Sequence, residues 1–172
     1  MQKSLILVIH NIRSAHNVGA LFRTADGAGV GSIVLSGYTP VPPKQDALYL
    51  SDADKALKKT ALGAENTVPW KMVSSLTKTL NQLKKEGYQI VALEQHKKSI
   101  DYRRYRPTGH VALMVGNEVT GVDSRVLKRC DWIVELPMRG QKNSLNVAVA
   151  AGIALYQIIS TIEKGTHKKE NL

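Results

Sequence analysis

The chain has 172 residues, enough for one domain with a full core and no need of disulfide or metal staples. Its 24 Lys and Arg against 14 Asp and Glu leave a net charge of +10, the footprint of a protein with an anionic partner such as nucleic acid. The single cysteine, Cys130, excludes an intrachain disulfide framework and a cysteine-cluster zinc site, so a reducing compartment is expected.

The first apolar run, "SLILVI" (4–9), reads as a buried strand and is too short for a secretory core, so the protein is expected to be cytoplasmic. A helix is expected at 17–29, with Asn17 as its N-cap and Val18, Leu21, Phe22 and Ala25 facing the core. Its opposite face gathers Gly19, Ala20, Arg23 and Gly27, where water-facing helices usually carry Lys, Glu and Gln. A face kept so low lets a close partner, RNA backbone or second subunit, reach Arg23. The residue itself has two readings, a phosphate contact or a surface pair with Asp26 at i, i+3.

Further strands follow at "SIVLS" (32–36), "QIVALE" (89–94), "VALMVG" (111–116) and "WIVELP" (132–137), with helices expected at 52–62, 74–86, 123–129 and 143–163. Such alternation predicts an α/β fold, a mostly parallel sheet covered on both faces by helices. "GYTPVPPKQD" (37–46) reads as a loop because of its prolines, and "HKKSIDYRRYRPTG" (96–109) as a basic one. In the latter Tyr102 and Tyr105 interleave with Arg103, Arg104 and Arg106, a composition suited to stacking on bases while neutralising phosphates. Residues 143–162 carry no charge, yet Asn143, Ser144, Asn146, Gln157, Ser160 and Thr161 leave the stretch short of a membrane span. A buried helix with one face on the sheet and another on a second subunit is expected. The tail, 164–172, is expected to fray.

Ligands of open α/β sheets sit at the carboxyl ends of the strands, and four polar clusters fall there. They are "HNIRSAHN", "EQHKK", "GNEVTG" and "PMRGQKNSLN". In "GNEVTG", Gly116 can admit a ligand to the backbone and Gly121 can supply a turn at positive φ. In "NSLN", capping accounts for Asn143 or Ser144 but leaves Asn146 over, so a bound group is expected there. No G-x-G-x-x-G, P-loop, G-x-S-x-G or H-E-x-x-H pattern occurs, which removes the usual signatures of dinucleotide, NTP, esterase and zinc chemistry. His10 and His16 bracket the first loop and are left out of the catalytic set.

Together "NVGALFRTADGAGV", "VALMVGNEVTGV" and "ELPMRGQKNSLNVAVAAGIALYQ" resemble, in order and spacing, the three motifs of the SPOUT-class RNA methyltransferases, specifically the TrmH-like ribose 2'-O-methyltransferases. "TALGAENTVPW" (60–70) also resembles a segment that follows the second strand in that family. The resemblance implies transfer of a methyl group from S-adenosylmethionine to a ribose 2'-hydroxyl in RNA, a homodimer, and a C-terminal trefoil knot (the α/β knot) in one domain over 1–172. It makes Arg23 the catalytic arginine of the first motif, with Asn17, Glu118, Ser144 and Asn146 as its catalytic companions. Cofactor contacts are implied at Leu93, Gly116, Leu136, Met138, Ser144 and Leu145, RNA contacts at Arg13, Arg103, Arg104 and Arg106, and no metal. No added RNA-binding domain is visible, so RNA grip is expected from the 96–109 loop, the 40–59 segment and the partner subunit. Transfer RNA is preferred to ribosomal RNA as substrate because the chain is minimal. Two rivals are a non-catalytic RNA-binding or assembly protein of the same fold and a flavodoxin-like nucleotide-binding module.

Overall fold

The computed structural model describes residues 5–44 and 46–170, with side chains through Glu163. Position 4 of the first expected strand and positions 171 and 172 of the tail lie outside the described residues. Seven strands form one sheet: β1 (Leu5–His10), β2 (Ser32–Ser36), β3 (Trp70–Val73), β4 (Tyr88–Leu93), β5 (Ile100–Asp101), β6 (His110–Val115) and β7 (Trp132–Glu135). Their order is β3-β2-β1-β6-β4-β7-β5, and every pairing is parallel. The five strands expected from apolar runs are all present. The two that were not expected, β3 and β5, are the short edges, where the chain is half exposed and carries Lys71 and Asp101.

Central strands are apolar on both faces because helices cover both. In β1, Leu5, Leu7 and Ile9 enter one core while Ile6 and Val8 enter the other; Val111, Leu113 and Val115 against Ala112 and Met114 repeat the split in β6. The first core is closed by α1 (Ala15–Gly27), α2 (Asp52–Ala61), the one-turn α3 (Ala64–Thr67) and α6 (Val147–Glu170). The second is closed by α4 (Leu76–Lys85) and α5 (Ser124–Leu127). Val18, Leu21, Phe22 and Ala25 are wholly buried, as their spacing predicts. Helix α6 continues through the backbone of the expected tail to Glu170.

Two expectations about α1 are corrected. Its cap is Ser14, whose backbone is extended and whose hydroxyl receives the Asn17 N–H, so Asn17 lies inside the helix with its amide free for other work. Nor is its small-residue face open along its whole length: Arg23 and Gly27 are exposed, but Gly19 is covered. A Cβ on Gly19 would lie 2.2 Å from the Leu57 carbonyl and 2.1 Å from Thr60 Oγ1, so α2 already occupies that side. The Thr60 hydroxyl donates to the His16 carbonyl at 2.9 Å, pinning the two helices. On the other flank the Tyr156 hydroxyl of α6 donates to the Gly27 carbonyl, and Thr24 meets Gly152. Arg23 stands exposed on the ridge between these two neighbours.

Candidate active site

The loops leaving β1, β4, β6 and β7 gather at the carboxyl edge of the sheet and enclose a cleft of about 740 Å³. Leu93, Gly116, Leu136, Met138, Ser144 and Leu145 all line it, together with Asn17, Glu118 and Asn146. Arg23 does not line it, nor do Arg13, Arg103, Arg104 and Arg106.

The polar residues at the mouth form one chain of hydrogen bonds. Asn146 donates its amide to Asn17 Oδ1 at 2.9 Å, and Asn17 donates to Glu118 Oε1 at 3.0 Å. The Glu118 carboxylate also accepts the backbone N–H groups of Arg13 and Ser14, both at 3.1 Å, and so anchors the entry to α1. Burial by itself would raise its pKa, but the hydrogen bonds from Arg13, Asn17 and Ser14 prevail and hold it below the usual carboxylate value. Asn146 is at the same time the cap of α6, since its Oδ1 accepts the N–H groups of Ala148 and Val149. Capping was expected from Asn143 or Ser144; the helix begins later, at Val147, and the third polar residue performs it.

Behind this chain lies a hub that sequence reasoning passed over. Asn117, 7% exposed, donates to the Asn11 carbonyl and to the Tyr38 hydroxyl, each at 3.0 Å, and receives the N–H groups of Val119 and Thr120. Asn11 holds a left-handed backbone (φ 56), a conformation asparagine tolerates, and its side chain accepts the Tyr38 N–H while donating to His10 Nε2. Three loops are thereby tied together beneath Glu118. Burial lowers the His10 pKa, opposed in part by Asp123, and the ring bonds Ser36. Gly121 does adopt positive φ (66), as expected. The space a Cβ would take at Gly116 is filled by the Gly121 main chain and Val122, so only glycine fits this close turn at the cleft wall.

Glu94, Glu118 and Glu135 line the cleft and no Lys or Arg does, which makes it an acidic hollow in a chain of net charge +10. Glu94 and Gln95 come from the "EQHKK" cluster: Glu94 accepts the Val122 N–H, and Gln95 donates across the mouth to the Asn143 carbonyl. Among the described residues, no three His, Cys, Asp or Glu side chains group as metal ligands. Cys130 is no nucleophile, since burial pushes its thiol up to about 12.

The basic loop is more tightly bound than its composition implies. Tyr105 is 3% exposed, packs at a tilt against Trp132 and donates to Gln89, so it is a core residue and not a platform for bases. Arg103 is clamped by Asp101, whose carboxyl this arginine's hydrogen bonds hold at about 2, and Arg106 folds back onto the carbonyls of Arg103 and Tyr105. Arg104 and Arg13 extend into solvent. The Asp26 carboxylate accepts from Thr67 at 2.8 Å, and no ion pair joins it to Arg23. Arg23 has no acidic partner among the described residues.

Residues 4–156 match the model of the SpoU rRNA methylase family. The chain belongs to that family. The SpoU match runs from the start of β1 into α6. A putative TrmH family tRNA/rRNA methyltransferase of Staphylococcus aureus is 31% identical over 155 residues, which cover 90% of this chain and 58% of the relative. The chain thus spans a little over half the length of such SpoU relatives. The solved TrmH/SpoU tRNA modifying enzyme of A. aeolicus matches with a TM-score of 0.79 at 30% identity, covering 96% of this chain and 78% of that one. A structure described as giving insight into 2-OH methylation of C/U34 on tRNA matches with a TM-score of 0.75 at 25% identity, covering 95% of this chain and 99% of that one. AdoMet-bound methyltransferases of Sinorhizobium meliloti and Streptomyces viridochromogenes share the fold.

Proposed function

We propose that the chain transfers the methyl group of S-adenosylmethionine to a ribose 2'-hydroxyl in RNA, transfer RNA ahead of ribosomal RNA. The observation that carries the reading is the acidic cleft at the carboxyl edge of the sheet, whose lining holds Glu94, Glu118 and Glu135 and no basic side chain. A nucleotide triphosphate or a flavin phosphate would meet repulsion there, whereas a cofactor bearing a sulfonium and an ammonium finds compensating charge. That chemistry disfavours the flavodoxin-like rival. The residues at hand fit the cofactor: Leu93, Leu136, Met138 and Leu145 offer apolar walls, and the loops at Gly116 and Ser144 offer backbone groups. When bound, it supplies an electrophilic methyl carbon.

The chain's own residues have to hold the hydroxyl in line with that carbon and accept the loss of its proton. Asn146, Asn17 and Glu118 set the polar edge of the cleft against which a ribose would lie. Arg23 stands six residues beyond Asn17, about 9 Å along the helix, a separation that a nucleotide's ribose and phosphate can span. It acts there either as a base made accessible by a phosphate or as a cation that fixes phosphate and stabilises the developing alkoxide. The presence of Arg23, Ser144 and Asn146 supports the enzyme over a non-catalytic relative of the fold.

The reading includes a homodimer and the knotted threading carried over with the family. Val149, Ile153 and Tyr156 form an exposed apolar stripe on α6 opposite its core-facing Ala151, Ala154, Leu155 and Ile158, a face suited to a second copy.

Calorimetry with S-adenosylmethionine and its demethylated product, followed by mass-spectrometric mapping of ribose methylation in RNA from cells with and without the gene, tests the proposal. Tight binding and one lost 2'-O-methyl nucleotide are expected; absence of both overturns it. Arg23→Lys is expected to slow single-turnover transfer by at least about a hundredfold, on the scale of a lost charge-stabilising group. The pH profile of the residual rate separates base from cation, and wild-type transfer by the variant sinks both roles.

A further inference from the structure

The first loop carries a histidine that the proposed chemistry leaves unused. His10 ends β1 with its ring partly buried, and each ring nitrogen has a partner: Nδ1 lies 2.9 Å from Ser36 Oγ, and Nε2 lies 3.1 Å from Asn11 Nδ2. The Asn11 amide has one possible orientation, because its Oδ1 accepts the Tyr38 N–H at 3.3 Å and only an oxygen can do so. Asn11 therefore turns its NH2 to the ring. Nε2 is then an acceptor, and the single proton of the neutral imidazole sits on Nδ1, donated to Ser36. Resting on the methyltransferase reading, we propose that His10 is a positioning residue of the transfer: its neutral ring fixes Asn11, and through Asn11 the Asn117 hub beneath Glu118, and a second proton on the ring releases them.

The path from ring to carboxylate is continuous. The Asn11 backbone is anchored by its own N–H on the Ser36 carbonyl at 3.2 Å, and a Cβ on Gly37 would overlap Asn11 Oδ1, so that side chain is boxed in. The Asn11 carbonyl receives the Asn117 amide, which also donates to the Tyr38 hydroxyl. Asn117 Oδ1 in turn accepts the N–H groups of Val119 and Thr120, so one residue fixes the chain on both sides of Glu118. A proton on Nε2 sets an N–H against the Asn11 NH2. Turning the amide over satisfies the ring but sets NH2 against the Tyr38 N–H, so one contact is lost either way. Around the ring, Ser36 faces it from β2 and Asn11 from the loop, both uncharged. Among the described residues the one charge that acts on it is Asp123, the N-cap of α5. That carboxylate favours the second proton, and burial outweighs it, so the His10 pKa is lowered. The closed hub is thus the form at neutral pH, and the released form belongs to mild acid.

Nuclear magnetic resonance of the wild type, His10→Gln and Asn11→Asp against pH reads the coupling without any activity, and single-turnover transfer on the same proteins reads its consequence. In the wild type the His10 ring is expected to carry its proton on Nδ1 and to titrate below the ordinary value of about 6.5. The backbone N–H signals of Tyr38, Val119 and Thr120 should move with the same midpoint. His10→Gln offers Asn11 an acceptor that takes up no proton, and there those signals should stay still. Asn11→Asp keeps an acceptor for Tyr38 and tolerates the left-handed backbone, but its carboxylate welcomes a charged ring, so His10 should titrate above its ordinary value. Wild-type transfer should fall about tenfold per pH unit below the His10 midpoint, the slope of one proton. His10→Gln should be slower at neutral pH yet lose that acid fall, since Glu118 is held below the usual carboxylate value and stays ionised across the window. A merely structural histidine would change the rate alike at every pH. A ring protonated on Nε2, a ring that titrates no higher in Asn11→Asp, or an acid fall that persists in His10→Gln overturns the proposal. A wild type that transfers nothing while the three N–H signals still follow His10 instead overturns the methyltransferase reading, so the two failures are distinguishable.

Discussion

Asn146 performs two tasks with the two ends of one amide. Its oxygen caps α6, and its nitrogen orients Asn17 and through it Glu118. The tasks can be separated, because aspartate keeps the accepting oxygen and loses the donor. Asn146→Ala is expected to destabilise the fold by about 0.5 to 2 kcal/mol, the usual worth of an N-cap, and to abolish methyl transfer. Asn146→Asp should unfold within about 0.5 kcal/mol of the wild type in urea yet lose transfer by about tenfold or more. Equal loss of stability in both variants would show that the amide donor, not the cap, carries the structural role. At this scale the sequence was partly legible. A surplus amide in "NSLN" announced that Asn146 does more than cap, but which of three adjacent polar residues caps depends on where the helix starts, and packing of Ala148 and Ala151 on the core decides that. Asn117 went unseen since a short amide between a glycine and a glutamate reads as an ordinary turn; its bonds to Asn11 and Tyr38 appear only when the β1 and β2 loops arrive from distant sequence.

Helix α1 shows the same limit one level up. Its apolar stripe was readable from spacing, and so was the oddity of its small residues, but not what lies against them. Gly19 is small because α2 crosses there, a contact between residues some forty positions apart that no local periodicity encodes. On an isolated helix Gly19→Ala would gain about 1 kcal/mol from propensity. Here the new methyl would meet a backbone carbonyl at 2.2 Å, which cannot rotate away, so α2 must shift. A net loss of about 1 to 3 kcal/mol in urea unfolding is expected, the range for overpacked cores, together with weaker activity as the His16–Thr60 pin is displaced. Gly27→Ala has only the Tyr156 hydroxyl at 3.3 Å to move and should cost less than Gly19→Ala; the reverse order would mean that α6, not α2, is the rigid neighbour. The edge strands β3 and β5 escaped notice for a related reason: each pairs with an inner neighbour, β2 or β7, already in place, and their own residues need little hydrophobicity to accept it.

For the molecule as a whole, the distribution of charge and apolar surface divides the labour. Basic groups lie outside an acidic cleft, and an apolar stripe lies on the last helix. Val149 is 53% exposed and Tyr156 is 55% exposed, on a helix that the core already uses on its other side. A two-fold pairing is isologous, so the same stripe must face itself, and apolar side chains satisfy that condition where like charges do not. Val149→Asp then places two carboxylates at one interface with no basic partner on the stripe. The pairing is expected to weaken by about 3 kcal/mol or more, about a hundredfold, while the exposed position leaves the fold of each copy intact. Sedimentation equilibrium should find the wild type at twice the chain mass and Val149→Asp shifted towards one chain, with unchanged thermal unfolding at high dilution. Lys128→Gln, at the end of α5 on the opposite core, lowers the charge by the same one unit and controls for charge alone. A wild type that sediments as a single chain at micromolar concentration would refute the homodimer, and the stripe would then have to be covered by a different partner.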